Sequence, residues 1–462
     1  MPASAAPTTG RVWQRTARGS TKAYPGPAAR GLRGRKRGAP EAELTQPAAA
    51  WSHGGVPAAA LSQPASGACQ LVQGLLGLAG SGPALKALLG ALATASAIRL
   101  SRRGSGRIPG TDKRRRVAMV DDGEGGRLSL VTFNIRGISD RWPERLPLLR
   151  ACLAELDADV YAFQEVLTGE FGQEADILGK GYHVHGCRAA LGHLLRQGGV
   201  AGLYARWLQF ALRFSCLRHM MVKMPLWVEA WREAWRVQAT PAVLLRDLAM
   251  APFFGNSLAS SLPATYTSED DQLWLGEFRA AQRICVMGAL LGASPSSGEA
   301  PGSETGVSRQ GLWIVNTHLH HDEEKPGVRT EQVDAICRWM EKVLDSSMGV
   351  LIVGDLNAHP REEVHAVFSS FGYRSAYDSA LGMQEPPITW PSGLVAPLMD
   401  QGEPMCLDYV YFKGGPAHAL ELLSMKLAGD APCQGDATLY PSDHFGLHAV
   451  VQIKPRAAGP AM

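Results

Sequence analysis

Six apolar runs between residues 128 and 444 each stop at a carboxylate, an amide or an imidazole, and this recurrence constrains the chain more than any other feature. They are T-F-N-I-R-G around Asn134, F-Q-E-V around Glu165, V-N-T-H-L around His318, V-G-D-L-N with Asp355 and Asn357, L-D-Y-V-Y around Asp408, and the triplet Ser442-Asp443-His444. Leu128 to Asn134 (LSLVTFN), Asp159 to Phe163 (DVYAF), Ile284 to Leu290, Leu312 to Asn316, Val350 to Val353, Leu407 to Phe412 and Gly446 to Ile453 read as strands. Leu146, Leu149, Leu153 and Leu156, and later Val333, Ile336, Met340 and Val343, recur at helical spacing. Strands alternating with helices predict an α/β domain. Taken singly, each polar strand end has an ordinary explanation as a turn residue, a helix cap or a core histidine. Taken in order, they are strand ends that one sheet can bring to a common pocket.

With 462 residues, 45% of them apolar and 19% charged, the chain can bury a full core, which excludes disorder throughout. Eight scattered cysteines without a C-x-x-C pair argue against a disulfide scaffold and a Cys-type zinc site, and predict a reducing compartment. Charge is divided unevenly. Residues 1–120 hold 18 Lys/Arg and 3 Asp/Glu, whereas the rest holds 28 and 40, so long-range attraction to polyanions is concentrated in the N-terminal stretch.

Residues 1–127 form a basic, low-complexity extension whose composition resembles an organellar transit peptide, with a disordered tail or an over-extended gene model as the alternatives. Its most apolar part, Cys69 to Ile98, is broken by Gln73, Pro83 and Lys86, so its longest clean stretches fall short of the ~20 apolar residues that span a bilayer. The catalytic domain is placed at 128–454, a C-terminal tail at 455–462, and a Gly/Ser/Pro-rich loop at Ala293 to Ser308. Cys187 to Met250 carries Trp207, Trp227, Trp231 and Trp235, with nine basic residues against three acidic ones. Three readings stay open for it: a packed helical insertion, a lid that meets a membrane surface, and mis-annotated sequence.

The ordered set resembles the endonuclease/exonuclease/phosphatase superfamily, the deoxyribonuclease-I-like fold, over about Leu128 to Ile453, and Gly255-Asn256-Ser257-Leu258 resembles a further segment of it. The resemblance implies a four-layer α/β sandwich, two packed β-sheets flanked by helices, with 187–250 as an insertion beyond the usual length. The T-H-L run and Arg329 with Gln332, spaced R-x-x-Q, look more like the sphingomyelinase and deadenylase branches. Abasic-site endonucleases tend to show N-x-Y-x-P where this chain reads N-T-H-L-H.

Phosphodiester cleavage needs a hard cation, donors to the phosphoryl oxygens and a base for water. Glu165 suits Mg²⁺ or Mn²⁺, with Asp443 as the second acidic contributor, directly or through water. His444 is the candidate general base, because an ordinary imidazole titrates near neutrality. By resemblance, Asp408 orients it and Asp355 positions the nucleophile or protonates the leaving oxygen. Asn134, Asn357 and His318 are assigned to the phosphoryl oxygens. Arg279 is the substrate-facing cation, with Arg283 competing for that role. Alternation along a strand puts His318 and His320 on one face and His321 on the other; His320 and His321 are expected at the pocket rim or in solvent, with a second catalytic histidine as the alternative.

The expectation is a monomeric, intracellular, metal-dependent phosphodiesterase acting on a small molecule or lipid head group, in a chloroplast or mitochondrion if the extension targets it and otherwise in the cytoplasm. A nuclease is the alternative. It is disfavoured because, outside the extension and the insertion, 19 basic residues face 37 acidic ones, which leaves little for a basic track. An inactive binding scaffold is disfavoured because every expected polar position is filled.

Overall fold

The computed structural model describes residues 12–14, 126–237, 240–267, 270–276, 278–287, 311–381, 386–391 and 403–456. The expected loop at Ala293 to Ser308, the Cys69 to Ile98 stretch and nearly all of the basic extension lie outside the described residues.

Two seven-stranded mixed sheets form the centre. The first takes β1 (Val12–Gln14), β2 (Gly126–Asn134), β3 (Val160–Leu167), β4 (His183–Cys187), β5 (Phe254–Ser260), β13 (His418–Ala428) and β14 (Gly446–Pro455), in the order β1-β13-β14-β2-β3-β5-β4. The second takes β6 (Ala264–Thr265), β7 (Gln272–Gly276), β8 (Arg279–Met287), β9 (Gly311–His318), β10 (Gly349–Asp355), β11 (Arg374–Ser375) and β12 (Asp408–Gly414). Its order is β11-β12-β10-β9-β8-β6, with β7 also on β8. Among the described residues only β2–β3 and β9–β10 run parallel, each pair separated by a helix, α1 (Trp142–Leu156) and α7 (Pro326–Leu344) respectively. Three short helices, α2 (Gln173–Leu178), α8 (Val364–Ser370) and α9 (Ala376–Leu381), complete the flanks. This is the expected α/β sandwich of two sheets between helices.

The apolar residues of β2 are shared between two cores. Leu128 and Leu130 join the core shared with Ile284, Ile314 and Ile352 of the second sheet, whereas Val131 and Phe133 join the core beneath Leu149 and Leu153 of α1. From Leu130 onward both faces are buried, so polar alternation is confined to the start of the strand, where Arg127 is exposed and Ser129 half-buried. The two sheets are also pinned by buried polar side chains. Asn316 of β9 donates from Nδ2 to the carbonyls of Phe163 and Ser257, each at 2.9 Å, and its Oδ1 accepts from Gln164 Nε2 at 2.7 Å. Asn316→Ala would orphan these groups in a dry interior, a cost of ~1–3 kcal/mol for each. We expect a marked fall in the urea midpoint with an unchanged m-value, and an unchanged midpoint would refute the pinning.

Residues 187–250 are the end of β4 followed by four helices, α3 (Ala189–Gln197), α4 (Gly199–Leu212), α5 (Ser215–Ala234) and α6 (Thr240–Met250). Their inner faces, including Leu191, Leu208, Met221 and Leu248, join the core of Phe133, Tyr161 and Phe163. A second tie is polar. Glu229 accepts from the backbone N–H of Asp140 at 3.0 Å, Glu233 from that of Arg141, and Arg232 pairs with Glu229 at 2.8 Å and Asp140 at 3.1 Å.

Several boundaries differ from expectation. Val12–Gln14 lies within the extension read as a transit peptide or a disordered tail, yet it pairs antiparallel with β13 at the sheet edge, Val12 opposite Lys426. Three residues held by backbone bonds carry no legible periodicity. The first catalytic strand opens at Gly126 rather than Leu128, and β14 runs to Pro455, two residues past the expected strand end at Ile453. No helix among the described residues is long and apolar enough to cross a membrane, and the seven described cysteines are free thiols.

Candidate active site

The parallel strands β2 and β3 deliver Asn134 and Glu165 from the first sheet, and β9 and β10 deliver His318 and Asp355 from the second. Asp355 closes two registers at once, opposite His318 on β9 and Asp408 on β12. Its preceding residue has to be glycine. Gly354 has φ +142°, and a Cβ there would lie 1.9 Å from the Thr317 carbonyl oxygen.

Glu165 reaches the site through an irregularity. Pairing of β3 with β5 shifts between Phe163 and Val166, and Glu165 adopts φ +53°, a strained value for a residue with a side chain. Such bulges re-aim a side chain that strict alternation would place elsewhere.

The sheets meet at Asn134, whose Nδ2 donates to Asp355 Oδ2 at 3.0 Å and lies 3.3 Å from Glu165 Oε1. The Asp355 carboxylate is a hub. Its Oδ1 accepts from the Asn357 backbone N–H at 2.9 Å, and its Oδ2 lies 3.4 Å from His318 Nε2 and 3.7 Å from His444 Nε2. His444 Nδ1–H donates to Asp408 Oδ2 at 2.9 Å, so its Nε2 is the nitrogen turned toward Asp355. Asn357, at φ +48°, directs its amide to the Leu319 carbonyl at 3.2 Å.

Arg279 resolves two open questions. Its guanidinium donates to His318 Nδ1 at 3.0 Å and to His321 Nδ1 at 3.1 Å. A guanidinium cannot accept, so His318 carries its proton on Nε2, facing Asp355. Burial and the nearby Arg279 hold the His318 pKa well below the usual range and that of His321 down at about 3. Both rings are thus neutral. Arg283, the competitor, instead pairs with Asp271 at 3.0 Å and lies 4.6 and 4.1 Å from the Trp313 and Trp339 rings, inside the core.

The expected facing of the histidine run is corrected. The strand ends at His318, so alternation does not continue: His321 joins His318 on Arg279, while His320 is 4% exposed rather than at the rim. The R-x-x-Q pair holds this turn. Arg329 donates to the His320 and Asp322 carbonyls and pairs with Glu362, and Gln332 accepts from the His320 N–H.

Asp443 is held on both sides, Oδ2 by Arg136 and Oδ1 by the Ser442 hydroxyl at 3.1 Å. Burial opposes its ionisation, but the Arg136 guanidinium outweighs that and lowers its pKa. Arg136 was not anticipated; its only sequence signal is its place two residues after Asn134. Arg145 was also missed. This fully buried guanidinium makes five hydrogen bonds to the carbonyls of Ile135, Gly137, Ser139, Asp140 and Pro441, locking the loop after β2 to the Ser442-Asp443-His444 turn.

The carboxylates outnumber the cations that reach them. Burial, then repulsion from Asp443, raises the Glu165 pKa to about 7, and burial raises Asp408 to about 6. Burial alone would lower His444, but Asp408, Asp355 and Asp443 outweigh it and raise the imidazole to about 10. The simple expectation of a histidine titrating near neutrality therefore fails for the metal-free site. Among the described residues Glu165 has one long hydrogen bond and no ion pair, a half-buried carboxylate beside other carboxylates. That donor chemistry fits a hard divalent cation. Asp355, Asp408 and His444 offer a second set of ligand atoms within 4.8 Å of one another, but the Nδ1–H bond to Asp408 already uses one of the His444 nitrogens.

The sequence matches the Endonuclease/Exonuclease/phosphatase family over residues 131–444, and the chain belongs to that family. Its members are phosphoesterases, so the class here is metal-dependent phosphoric ester hydrolysis. Among solved structures it is similar to the human Nocturnin catalytic domain with bound sulfate, at 18% identity over 71% of this chain and 94% of that one, TM-score 0.44. It is similar too to humanized D. rerio TDP2 carrying 14 mutations, at 13% identity over 71% and 99%, TM-score 0.43. A family protein from Bacteroides thetaiotaomicron follows at 12% identity over 71% and 98%, TM-score 0.41. No curated protein matches it in sequence.

Proposed function

We propose that the protein hydrolyses phosphodiesters of small molecules or lipid head groups, with Mg²⁺ or Mn²⁺ at Glu165. The observation that carries this is the reach of Asn134 to both Glu165 and Asp355, which joins a carboxylate suited to a cation with an oriented imidazole. When bound, a divalent cation there would offset charge building on the phosphoryl oxygens and, by partly neutralising the carboxylates, bring the His444 pKa down into the range of a base. His444 takes the proton from water through Nε2, while Asp408 holds Nδ1–H and stabilises the imidazolium that forms. Asp355 positions the attacking water. His318 donates from Nε2–H and Arg279 supplies positive charge beside it. Asn357 lies at the same strand end. Asp443 acts through Arg136 and through water, because both its oxygens are already engaged.

A panel of an aryl phosphodiester, an aryl phosphomonoester, sphingomyelin and single-stranded RNA, each with and without Mg²⁺, tests this reading. Metal-dependent turnover of the diester and the lipid is expected. Turnover of RNA alone would replace the substrate class, and full activity in chelator would refute the mechanism.

Proton competition at Glu165 gives a pH dependence. A carboxyl raised to about 7 is largely protonated below that pH, so Mn²⁺ affinity should climb as pH rises through 7 and level off above it. Calorimetric titration of Mn²⁺ reads this directly, and a flat profile between pH 6 and 8 would contradict it.

A further inference from the structure

The helical insertion presents an outer surface that the catalytic reading leaves unused. Leu203, Arg206, Trp207, Phe210 and Phe214 recur at three- and four-residue steps along and just beyond α4, the spacing of a single helical face, and all are exposed. Trp227, Trp231 and Trp235 follow at four-residue steps on α5 and at its end. Exposure is 67% at Leu203 and 74% at Trp235, although core positions were available to apolar side chains on the inner faces of the same helices. Exposed apolar side chains concentrated in this way on one element mark an interaction site.

Charge on the same helices has one sign. Arg206, Arg213, Arg218, Lys223 and Arg236 are exposed, and residues 188–236 contain only two acids, Glu229 and Glu233. Glu229 is buried and Glu233 half-buried, and both are turned to the backbone at Asp140 and Arg141. Within residues 188–236 no carboxylate is exposed; from outside them, Asp176 faces Lys223.

We propose that the outer faces of α4 and α5 dock onto an anionic lipid bilayer, with the indole and phenyl rings entering the head-group region and the Arg and Lys side chains meeting lipid phosphates. Charge complementarity favours this occupant. A second copy would oppose like charges across the interface, and residues 1–120, with 18 Lys/Arg against 3 Asp/Glu, are repelled by the same field. A single-stranded nucleic acid is bound in a basic groove with stacking rings, whereas here the rings, accompanied by the aliphatic Leu203, stand on outer helical faces. The surface is also fixed to the chemistry: the inward acids of α5 grip Asp140 and Arg141, and Arg136, four residues before Asp140, holds Asp443. Docking itself does not require hydrolysis; only its use, offering head-group phosphodiesters to the site, rests on the hydrolase reading.

The test is sedimentation of the full chain, in chelator, with phosphatidylcholine vesicles containing or lacking phosphatidylserine. Binding is expected only with phosphatidylserine, weakening as salt rises. Replacing Arg206, Arg213 and Arg218 by Gln should weaken it by about 5-fold for each charge removed. Trp227→Ala, Trp231→Ala and Trp235→Ala combined should abolish measurable binding. Both variants should keep the wild-type melting curve and wild-type hydrolysis of a soluble aryl phosphodiester. Overturning results are absence of vesicle binding, equal binding to both vesicle types, indifference to the variants, a dimer that the tryptophan variant dissociates, or oligo(dT) binding without vesicle binding. Vesicle binding without any hydrolase activity would count against the proposed reaction and leave docking intact.

Discussion

His444→Ala is expected to lower kcat on a soluble phosphodiester by ~10²-fold or more. Among the described residues no other imidazole nitrogen occupies its position: His318 Nε2 carries a proton directed at Asp355, and its ring is neutral through burial and Arg279. A change in stability should accompany the loss. An imidazole of ordinary pKa could be removed at little cost to folding, but here it is raised to about 10 among Asp408, Asp355 and Asp443. A raised pKa contributes stability that is fully present below the ordinary value of 6.5 and is lost as pH rises through about 10. The metal-free variant should therefore melt below wild type near pH 6, with the gap closing toward pH 10. Asp408→Asn probes the pair without removing the imidazole. It should lower the His444 pKa and kcat together while keeping the side-chain volume, with NMR titration of the ring as the readout. Wild-type turnover by His444→Ala would remove the base assignment.

Glu165→Gln is expected to weaken Mg²⁺ or Mn²⁺ binding by at least ~10-fold, because even loss of an outer partner of a metal site costs 10- to 100-fold. Activity should fall at low metal and recover in part at high metal, a rise in apparent metal constant rather than a pure loss of kcat. The substitution also removes a carboxyl whose burial and Asp443 neighbour raise its pKa to about 7. In the metal-free protein, that carboxyl costs stability as pH rises from its ordinary 4.5 through 7. The variant should be the more stable form above pH 7 without metal and lose this advantage when metal is added. Metal affinity indistinguishable from wild type would move the cation away from Glu165.

What was legible in the sequence was chiefly the set of strand ends. Asn134, Glu165, His318, Asp355, Asp408 and His444 each terminate or follow an apolar run, and the structure brings them together. The partners that aim them were not legible. Arg136 reads as one more turn residue after Asn134, and its pairing with Asp443 spans nearly the whole domain. Arg279 and Arg283 look equivalent on β8; what separates them is the Asp271 carboxylate and the Trp313 and Trp339 rings, all tertiary neighbours. His321 lies beyond the last residue of β9, where period-two reasoning stops applying. The bulge at Glu165 leaves no trace in F-Q-E-V, and the long β13 was passed over because its apolar residues are diluted by Glu421, Ser424 and Lys426 on a half-buried face.

The position of β14 between β13 and β2 has a consequence for how this protein is made. Leu447 pairs with Thr132, so the first catalytic strand to leave the ribosome waits for one of the last. Until then the β2 edge that pairs with β14 stays open, and Asp443 and His444, immediately ahead of β14, are not held against the pocket. Such distant pairing raises contact order and slows folding. Nascent chains stalled before Gly446 should be protease-sensitive and prone to associate through β2, so that catalytic competence arrives in a single late step of synthesis rather than by degrees.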